Sequence, residues 1–276
     1  MFSSGKNFFL KAALFSILMM VFVSPAAFAA KSIICASTTS TQNSGFFDYI
    51  LPIFEKKTGI AVKVVAVGTG AAIEIGKRGD ADVVLCHAKG LEMIALKEGF
   101  FVNRHDLMYN DFVIVGPAKD PAGVASSKTA VEAFRKISSA RRTFISRGDR
   151  SGTNIKENAI WGMAELNPKG RPWYLESGQG MGKTLMAASE KGAYTLTDRS
   201  TYYNLKDRLG LKILFQGDKT LFNQYGVMAV NPAKHPNVKF SDAMAFVNWL
   251  ISSEGQKFIA EYKDKHGNQL FFPDAD

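Results

Sequence analysis

Short apolar runs alternate with helix-spaced patterns along almost the whole chain, and this alternation limits the fold more than any other feature. Ser32–Ala36, Ile60–Val67 and Val83–Cys86 read as strands. Phe46, Phe47, Ile50, Leu51 and Phe54 recur at helical spacing and stop at Thr58-Gly59. Ala71–Lys77 and Glu92–Lys97 predict two further helices, and Pro52 predicts a kink in the first one. A βαβαβα order of this kind predicts a parallel sheet with helices on both faces.

A second α/β set follows. Phe112–Val115 predicts a strand ending at Gly116-Pro117, then a helix over Val131–Ser138, a strand over Thr143–Ser146 and a helix over Ile155–Glu165. A helix over Thr184–Lys191, a strand over Tyr194–Thr197, a helix over Ser200–Leu209 and a strand over Leu211–Phe215 complete it. Tyr225–Val230 reads as a strand again. Ala243, Phe246 and Leu250 share one helical face, and Ser253-Glu254-Gly255-Gln256 predicts a capping box for the last helix. Two α/β units predict two lobes, with the chain crossing near Asn110–Gly116 and Asn223–Gly226. The first lobe then takes 30–115 and 226–276, and the second, inserted, takes 116–225. Ligands of such sheets sit beyond the carboxyl ends of the strands, here in the cleft between lobes.

The chain has 276 residues, 46% of them hydrophobic, with two Cys. That supports packed cores and excludes disordered, collagen-like, coiled-coil and disulfide-stapled classes. Lys6 and Lys11 precede an apolar run, Ala12 to Val23, too short to span a membrane. Ser24-Pro25 and Ala27-Phe28-Ala29 follow, so residues 1–29 read as a cleaved secretory signal and the mature chain as periplasmic. No Cys stands close behind the run to carry a lipid. Removing the two leader lysines from 34 Lys+Arg, against 25 Asp+Glu, leaves +7. The positive charge is scattered, with no basic stripe to suit nucleic acid, and it fits a small anion or no special partner. Cys35 and Cys86 read as buried strand thiols rather than a disulfide.

The chemistry lies where strands give way to helices. Ser37-Thr38-Thr39-Ser40-Thr41 offers five consecutive hydroxyls with free backbone N–H groups behind them, an arrangement that suits an anion. Val67-Gly68-Thr69-Gly70 lets backbone approach a ligand. Ser146-Arg147-Gly148-Asp149-Arg150-Ser151-Gly152-Thr153 sets a guanidinium beside hydroxyls, and its planar fork matches two oxygens of an oxyanion. Asp149 serves either to orient Arg147 or to cap the helix. The Ser177–Thr184 loop departs from a phosphate loop because Ser177 stands where glycine is required. Thr197 ends another strand. The four His (His87, His105, His235, His266) have no metal-ligand spacing, and His87 reads as structural. No G-x-S-x-G elbow or acid–base pair is visible, so no enzyme and no cofactor are expected.

Ser37-Thr38-Thr39-Ser40-Thr41-Gln42, Val65-Ala66-Val67-Gly68-Thr69-Gly70, Tyr109–Pro117 and Ser146-Arg147-Gly148-Asp149 together resemble the tungstate-binding periplasmic components of tungstate ABC transporters. Gly178-Gln179-Gly180-Met181-Gly182, Tyr194–Arg199 and Gln269–Pro273 extend the resemblance over the whole mature chain. Ser37 and Ser200 depart from the pattern, where Thr and Gly are expected. The resemblance implies a class II periplasmic binding-protein fold, a tetrahedral oxyanion in the cleft and a membrane permease as partner of a monomer. The strand-to-helix loops together put the expected ligand contacts at Thr38, Thr39, Thr69, Arg147, Ser151, Gly152, Thr153 and Thr197. The residues alone leave the anion open. Tungstate, molybdate and sulfate suit a donor-only site, whereas Asp149 keeps hydrogen phosphate in play. An enzyme or a sensor module on the same fold remains the reading from another class.

Overall fold

The computed structural model describes residues 31–275, and the leader expected over residues 1–29 lies outside them. The chain opens with β1 (Lys31–Thr38), α1 (Thr39–Asn43), α2 (Phe46–Thr58), β2 (Ile60–Val67), α3 (Thr69–Lys77), β3 (Val83–Cys86) and α4 (Lys89–Lys97). The long strand β4 (Phe101–Pro117) leads into the second lobe, which holds α5 (Ala130–Ser139), β5 (Phe144–Ser146), α6 (Gly152–Met163) and β6 (Tyr174–Glu176). It continues with α7 (Met181–Glu190), β7 (Thr195–Asp198), α8 (Arg199–Leu205) and β8 (Leu211–Phe215). The strand β9 (Phe222–Val230) returns to the first lobe, followed by α9 (Phe240–Ile251), α10 (Ser253–Glu261) and β10 (Phe272–Pro273).

The pairing is parallel among β2, β1 and β3 and between β5 and β6, as the βα order demands. It is antiparallel wherever β4 and β9 take part, because those strands carry the chain between lobes and back. The first half of β4 pairs with β9, and its second half pairs with β7 and β8. One strand therefore belongs to both lobes.

Side chains alternate across each sheet, and the cores follow that alternation. Ile33, Cys35, Val83 and Leu85 join one cluster with Phe46, Phe54 and Phe246 from α2 and α9. Ala36, Val84 and Cys86 point the other way, onto Ile73 and Phe101. Cys35 and Cys86 are free thiols on opposite faces of neighbouring strands, which forbids a bridge. In the second lobe Phe112 and Ile114 pack on Phe134, Phe144 and Trp161, while Val113 and Val115 pack on Met181 and Leu185. Phe112–Val115, read from sequence as the end of the first lobe, thus sit in the second lobe's core. Each fully buried side chain of this size contributes roughly 1.5–3 kcal/mol.

Pro52 lies inside α2, which continues from Phe46 to Thr58. One local expectation changes: the cap of α10 is Ser252, not Ser253, and its Oγ accepts the Gly255 N–H at 3.2 Å. Ser252 has extended backbone at the junction of α9 and α10, which the cap position requires. Among the described residues no helix is long and apolar enough to cross a membrane.

Candidate functional site

Three strand-to-helix loops meet where the lobes touch. The first ends β1 at Thr38, whose Oγ1 accepts the Thr41 N–H at 3.2 Å and lies 2.7 Å from Thr41 Oγ1 and 3.0 Å from Ser40 Oγ. Ser37 donates to the Leu85 carbonyl at 2.6 Å. Most of the hydroxyls in this run are therefore bonded within the first lobe.

Opposite them, β5 delivers Arg147, whose side chain is 1% exposed. Its Nε and Nη2 donate to Asp149 Oδ2 at 3.1 and 2.5 Å, and Nη2 also donates to Thr39 Oγ1 at 3.0 Å across the seam. Nη1 is buried and has no partner among the described residues. Asp149 thus occupies the Nε–Nη2 edge of the guanidinium, and Nη1 is the nitrogen left open. Of its two expected roles Asp149 takes the first, orienting Arg147; it does not cap α6, and its Oδ1 accepts the Ser151 N–H at 3.1 Å just before the helix. Ser151 caps α6 by accepting the Asn154 N–H at 3.3 Å. Thr153, in the first turn, has a buried Oγ1 with no partner.

The Arg147 loop is held from below by Glu157. This buried carboxylate accepts from Ser146 Oγ at 2.5 Å, Tyr174 Oη at 2.7 Å and Trp161 Nε1 at 3.0 Å. Ser146 Oγ accepts the Gly148 N–H at 3.2 Å, and Gly148 takes φ +63°, the left-handed turn that glycine allows. Burial pushes the Glu157 carboxyl up, and its four hydrogen-bond donors pull the other way.

Direct bonds join the lobes. Gly152 N–H donates to Thr69 Oγ1 at 3.0 Å, Thr201 Oγ1 to the Ser40 carbonyl at 3.1 Å, and Asn204 Nδ2 to the Asn43 carbonyl at 2.7 Å. Thr69, read from sequence as a ligand contact, accepts from the opposite lobe. Thr197 is buried, and its hydroxyl donates to the Asp198 carbonyl at 3.1 Å; it bonds none of the other seven residues. The structure brings together Thr39 with Arg147 and Thr69 with Gly152, and leaves donors open at Arg147 and Thr153.

A buried polar chain behind the loops escaped the sequence reading. His87 places Nε2 3.0 Å from Ser40 Oγ and Nδ1 2.9 Å from Asn223 Oδ1. Asn223 Nδ2 donates to Asn110 Oδ1 at 2.7 Å, Asn110 Nδ2 to Ser200 Oγ at 3.0 Å, and Ser200 Oγ to Asp198 Oδ1 at 2.6 Å. Asp198 Oδ2 is buried without a partner. Asn110 and Asn223 lie inside strands, where Asn is depleted, and that was the available signal. Burial, followed at a distance by Arg147, pushes the His87 imidazole down to about 4, against the pull of Asp198 and Asn223. A groove of about 630 Å³, lined by His87, Gly152, Lys156 and Asn223 among others, reaches this seam from outside.

Two α/β lobes joined by two crossing strands, with open donors buried in the seam, define a two-lobed solute-binding protein of the class II periplasmic type. The chain belongs to the PBP superfamily, whose domain model matches residues 24–254. It is similar to a tungstate-binding protein, TupA, of Peptoclostridium acidaminophilum: 49% identical over 247 residues, 88% of this chain and 86% of that one. Among solved structures, that of the tungstate ABC transporter from Geobacter sulfurreducens is 52% identical with a TM-score of 0.78, covering 84% of this chain and 98% of that chain. The tungstate-binding protein TupA from Desulfovibrio alaskensis G20 is 46% identical with a TM-score of 0.76, covering 90% of this chain and all of the other.

Proposed function

We propose that this chain is an extracytoplasmic solute-binding protein that captures tungstate between its lobes and delivers it to an ABC importer. The observation that carries this reading is that two buried donors without partners among the described residues, Arg147 Nη1 and Thr153 Oγ1, belong to one and the same loop at the seam. A buried donor left unpaired costs roughly 1–3 kcal/mol, so the closed seam favours an enclosed acceptor. A tetrahedral dianion supplies one, held through its oxygens. Arg147, Thr153, Thr39, Ser151 and Gly152 form the contact set, with Thr38, Thr69 and Thr197 packed around them.

Asp149 was the residue that kept hydrogen phosphate open. Both its oxygens are engaged, by Arg147 and by the Ser151 N–H, which weighs against its accepting a proton from phosphate. The tungstate-binding relatives favour tungstate over molybdate and sulfate. Closure follows from the same contacts: the anion favours the arrangement in which both lobes reach it. The protein works as an exported monomer, its leader removed after Ala29, and docks on a membrane permease.

Calorimetric titration with tungstate, molybdate, sulfate and phosphate tests the reading. Tungstate is expected to bind most tightly and phosphate weakly. Tight phosphate binding with weak tungstate binding would overturn it.

A further inference from the structure

His87 stands one hydrogen bond behind the hydroxyl loop, and donor–acceptor bookkeeping fixes how the protons run there. Asn223 Nδ2 faces Asn110 Oδ1 at 2.7 Å and Tyr225 Oη at 3.2 Å, so Asn223 Oδ1 is the atom 2.9 Å from His87 Nδ1. An amide oxygen only accepts, so Nδ1 carries the imidazole proton. Nε2 of the neutral ring is then a bare acceptor, and the Ser40 hydroxyl 3.0 Å away donates to it. Ser40 Oγ accepts in turn from Thr38, and Thr38 Oγ1 accepts from the Thr41 hydroxyl at 2.7 Å and the Thr41 N–H. With His87 neutral, all three hydroxyl protons run toward the imidazole and none is left for an anion.

A second proton on the ring reverses this. Nε2–H then donates to Ser40 Oγ, the Ser40 proton is freed, and the loop gains one hydroxyl donor. We propose that oxyanion capture takes up a proton at His87, which acts as a positioning residue by turning the Ser40–Thr38 hydroxyls toward the ligand. This rests on the oxyanion-binding reading given above.

The surroundings of the ring are arranged for such a change. Arg147 opposes a charge on His87 from the β5 loop, and Asp198 favours one from the end of β7. Tyr225 of β9 stacks on the ring at 4.8 Å, its phenol kept protonated by burial, and the Phe112 ring of β4 lies 6.1 Å away. Gly152 of α6 packs against the ring, where a Cβ would meet the imidazole at 2.8 Å, and Lys89 of α4 and Lys156 of α6 line the groove that reaches it from outside. A dianion beside Arg147 cancels the repulsion from that guanidinium and leaves the pull of Asp198, whose Oδ2 has no partner. Proton and anion therefore favour each other.

The test is calorimetry of the full mature chain with sodium tungstate at about pH 5, one unit above where burial holds the free imidazole, in three buffers of different ionisation enthalpy. Between about half a proton and one proton should be taken up per tungstate, and affinity should fall up to about tenfold per pH unit as the solution is made alkaline. His87→Gln, whose amide donates to Ser40 at any pH, should abolish the uptake and flatten the pH profile. Binding with less than about a tenth of a proton taken up in the wild type, or full uptake in His87→Gln, would overturn the proposal. A complete absence of tungstate binding would instead overturn the functional reading on which it rests. Nitrogen NMR of the His87 ring in the wild type needs no variant: it should change from neutral to imidazolium on tungstate addition, and a ring that stays neutral refutes the idea.

Discussion

The two loops that face each other across the seam use opposite means. The Ser37–Thr41 loop has many hydroxyls and no charge, and its groups bond chiefly to one another and to their own lobe. The Arg147–Thr153 loop has an ion pair with a buried guanidinium and, among the described residues of the two loops, holds both of the buried donors that lack partners. The number of polar side chains in a loop is thus a poor measure of what it offers a ligand. What counts is the number of donors the fold leaves unpaired.

The largest expected effect tests the charged side. Arg147→Ala removes the one cation in the seam that points a free N–H inward, and it leaves Asp149 without its partner. Truncating a buried charged partner typically costs about 2–5 kcal/mol, or roughly thirty-fold to several thousand-fold in affinity. Arg147→Lys should recover only part of this. A lysine ammonium has three donors, but all on one nitrogen, and lacks the planar spread with which the guanidinium reaches Asp149 and Thr39 and still offers Nη1. The measurement is tungstate affinity by calorimetry, with folding checked by circular dichroism. Binding within about threefold of wild type for Arg147→Ala would remove Arg147 from the site.

Next comes closure. Gly152 lies in the first turn of α6 without left-handed backbone, so alanine there costs the helix nothing. An added Cβ would stand 2.8 Å from His87 Cε1 and Nδ1 and 3.0 Å from its carbonyl, in the opposite lobe. The imidazole cannot move aside, being held by Ser40, Asn223 and Tyr225. Overpacking of this kind costs about 1–3 kcal/mol, so Gly152→Ala should weaken tungstate roughly five- to 150-fold with no loss of melting temperature. Small-angle scattering should show less compaction on tungstate addition than in the wild type. Full compaction and full affinity would mean the seam is looser than the contacts indicate.

Much of the fold was legible in the sequence. The strands Ile60–Val67, Val83–Cys86 and Leu211–Phe215 are found over the residues expected. The first half of β4 was not legible, because Asn103, Arg104, His105 and Asp106 interrupt the apolar pattern. Asn103 takes φ 51° there, and the register with β9 breaks between Val102 and His105. The three-residue β6 is too short to give a period. In the site, Arg147 could be read from local spacing, whereas the helix after it was expected from Ile155 and starts at Gly152. The pairing of Thr69 with Gly152 and of His87 with Asn223 could not, since these partners are 83 and 136 residues apart. Local sequence shows which groups a loop contains, and only the folded chain shows which of them remain unpaired.

That distinction is sharpened by one threonine from each loop. Thr153→Val removes a hydroxyl that has no protein partner, so stability should hold or rise while tungstate binding falls by about 1–3 kcal/mol, the worth of a bond to a charged group. Thr38→Val removes the cap on the Thr41 N–H, so it should destabilise the fold by roughly 0.5–2 kcal/mol. Chemical denaturation and calorimetry on both variants separate the two behaviours. Equal losses of stability and affinity in both would show that the loops are alike after all.

The smallest effect concerns an exposed bond between the lobes. Asn204 is exposed, and its Nδ2 donates to the Asn43 carbonyl at 2.7 Å, from α8 of one lobe to the end of α1 in the other. It joins the lobes without touching the Arg147 loop. Asn204→Ala keeps helix propensity and removes this one bond, whose net worth at a wet surface is about 0.5–1.5 kcal/mol. The bond exists only while the lobes are together, so its loss should act on opening rather than on encounter. Stopped-flow measurements should find tungstate dissociation faster by roughly two- to twelve-fold, with the association rate constant unchanged. A slower association with unchanged dissociation would mean that Asn204 shapes the open protein, and the contact would then lose its standing as a latch between the lobes.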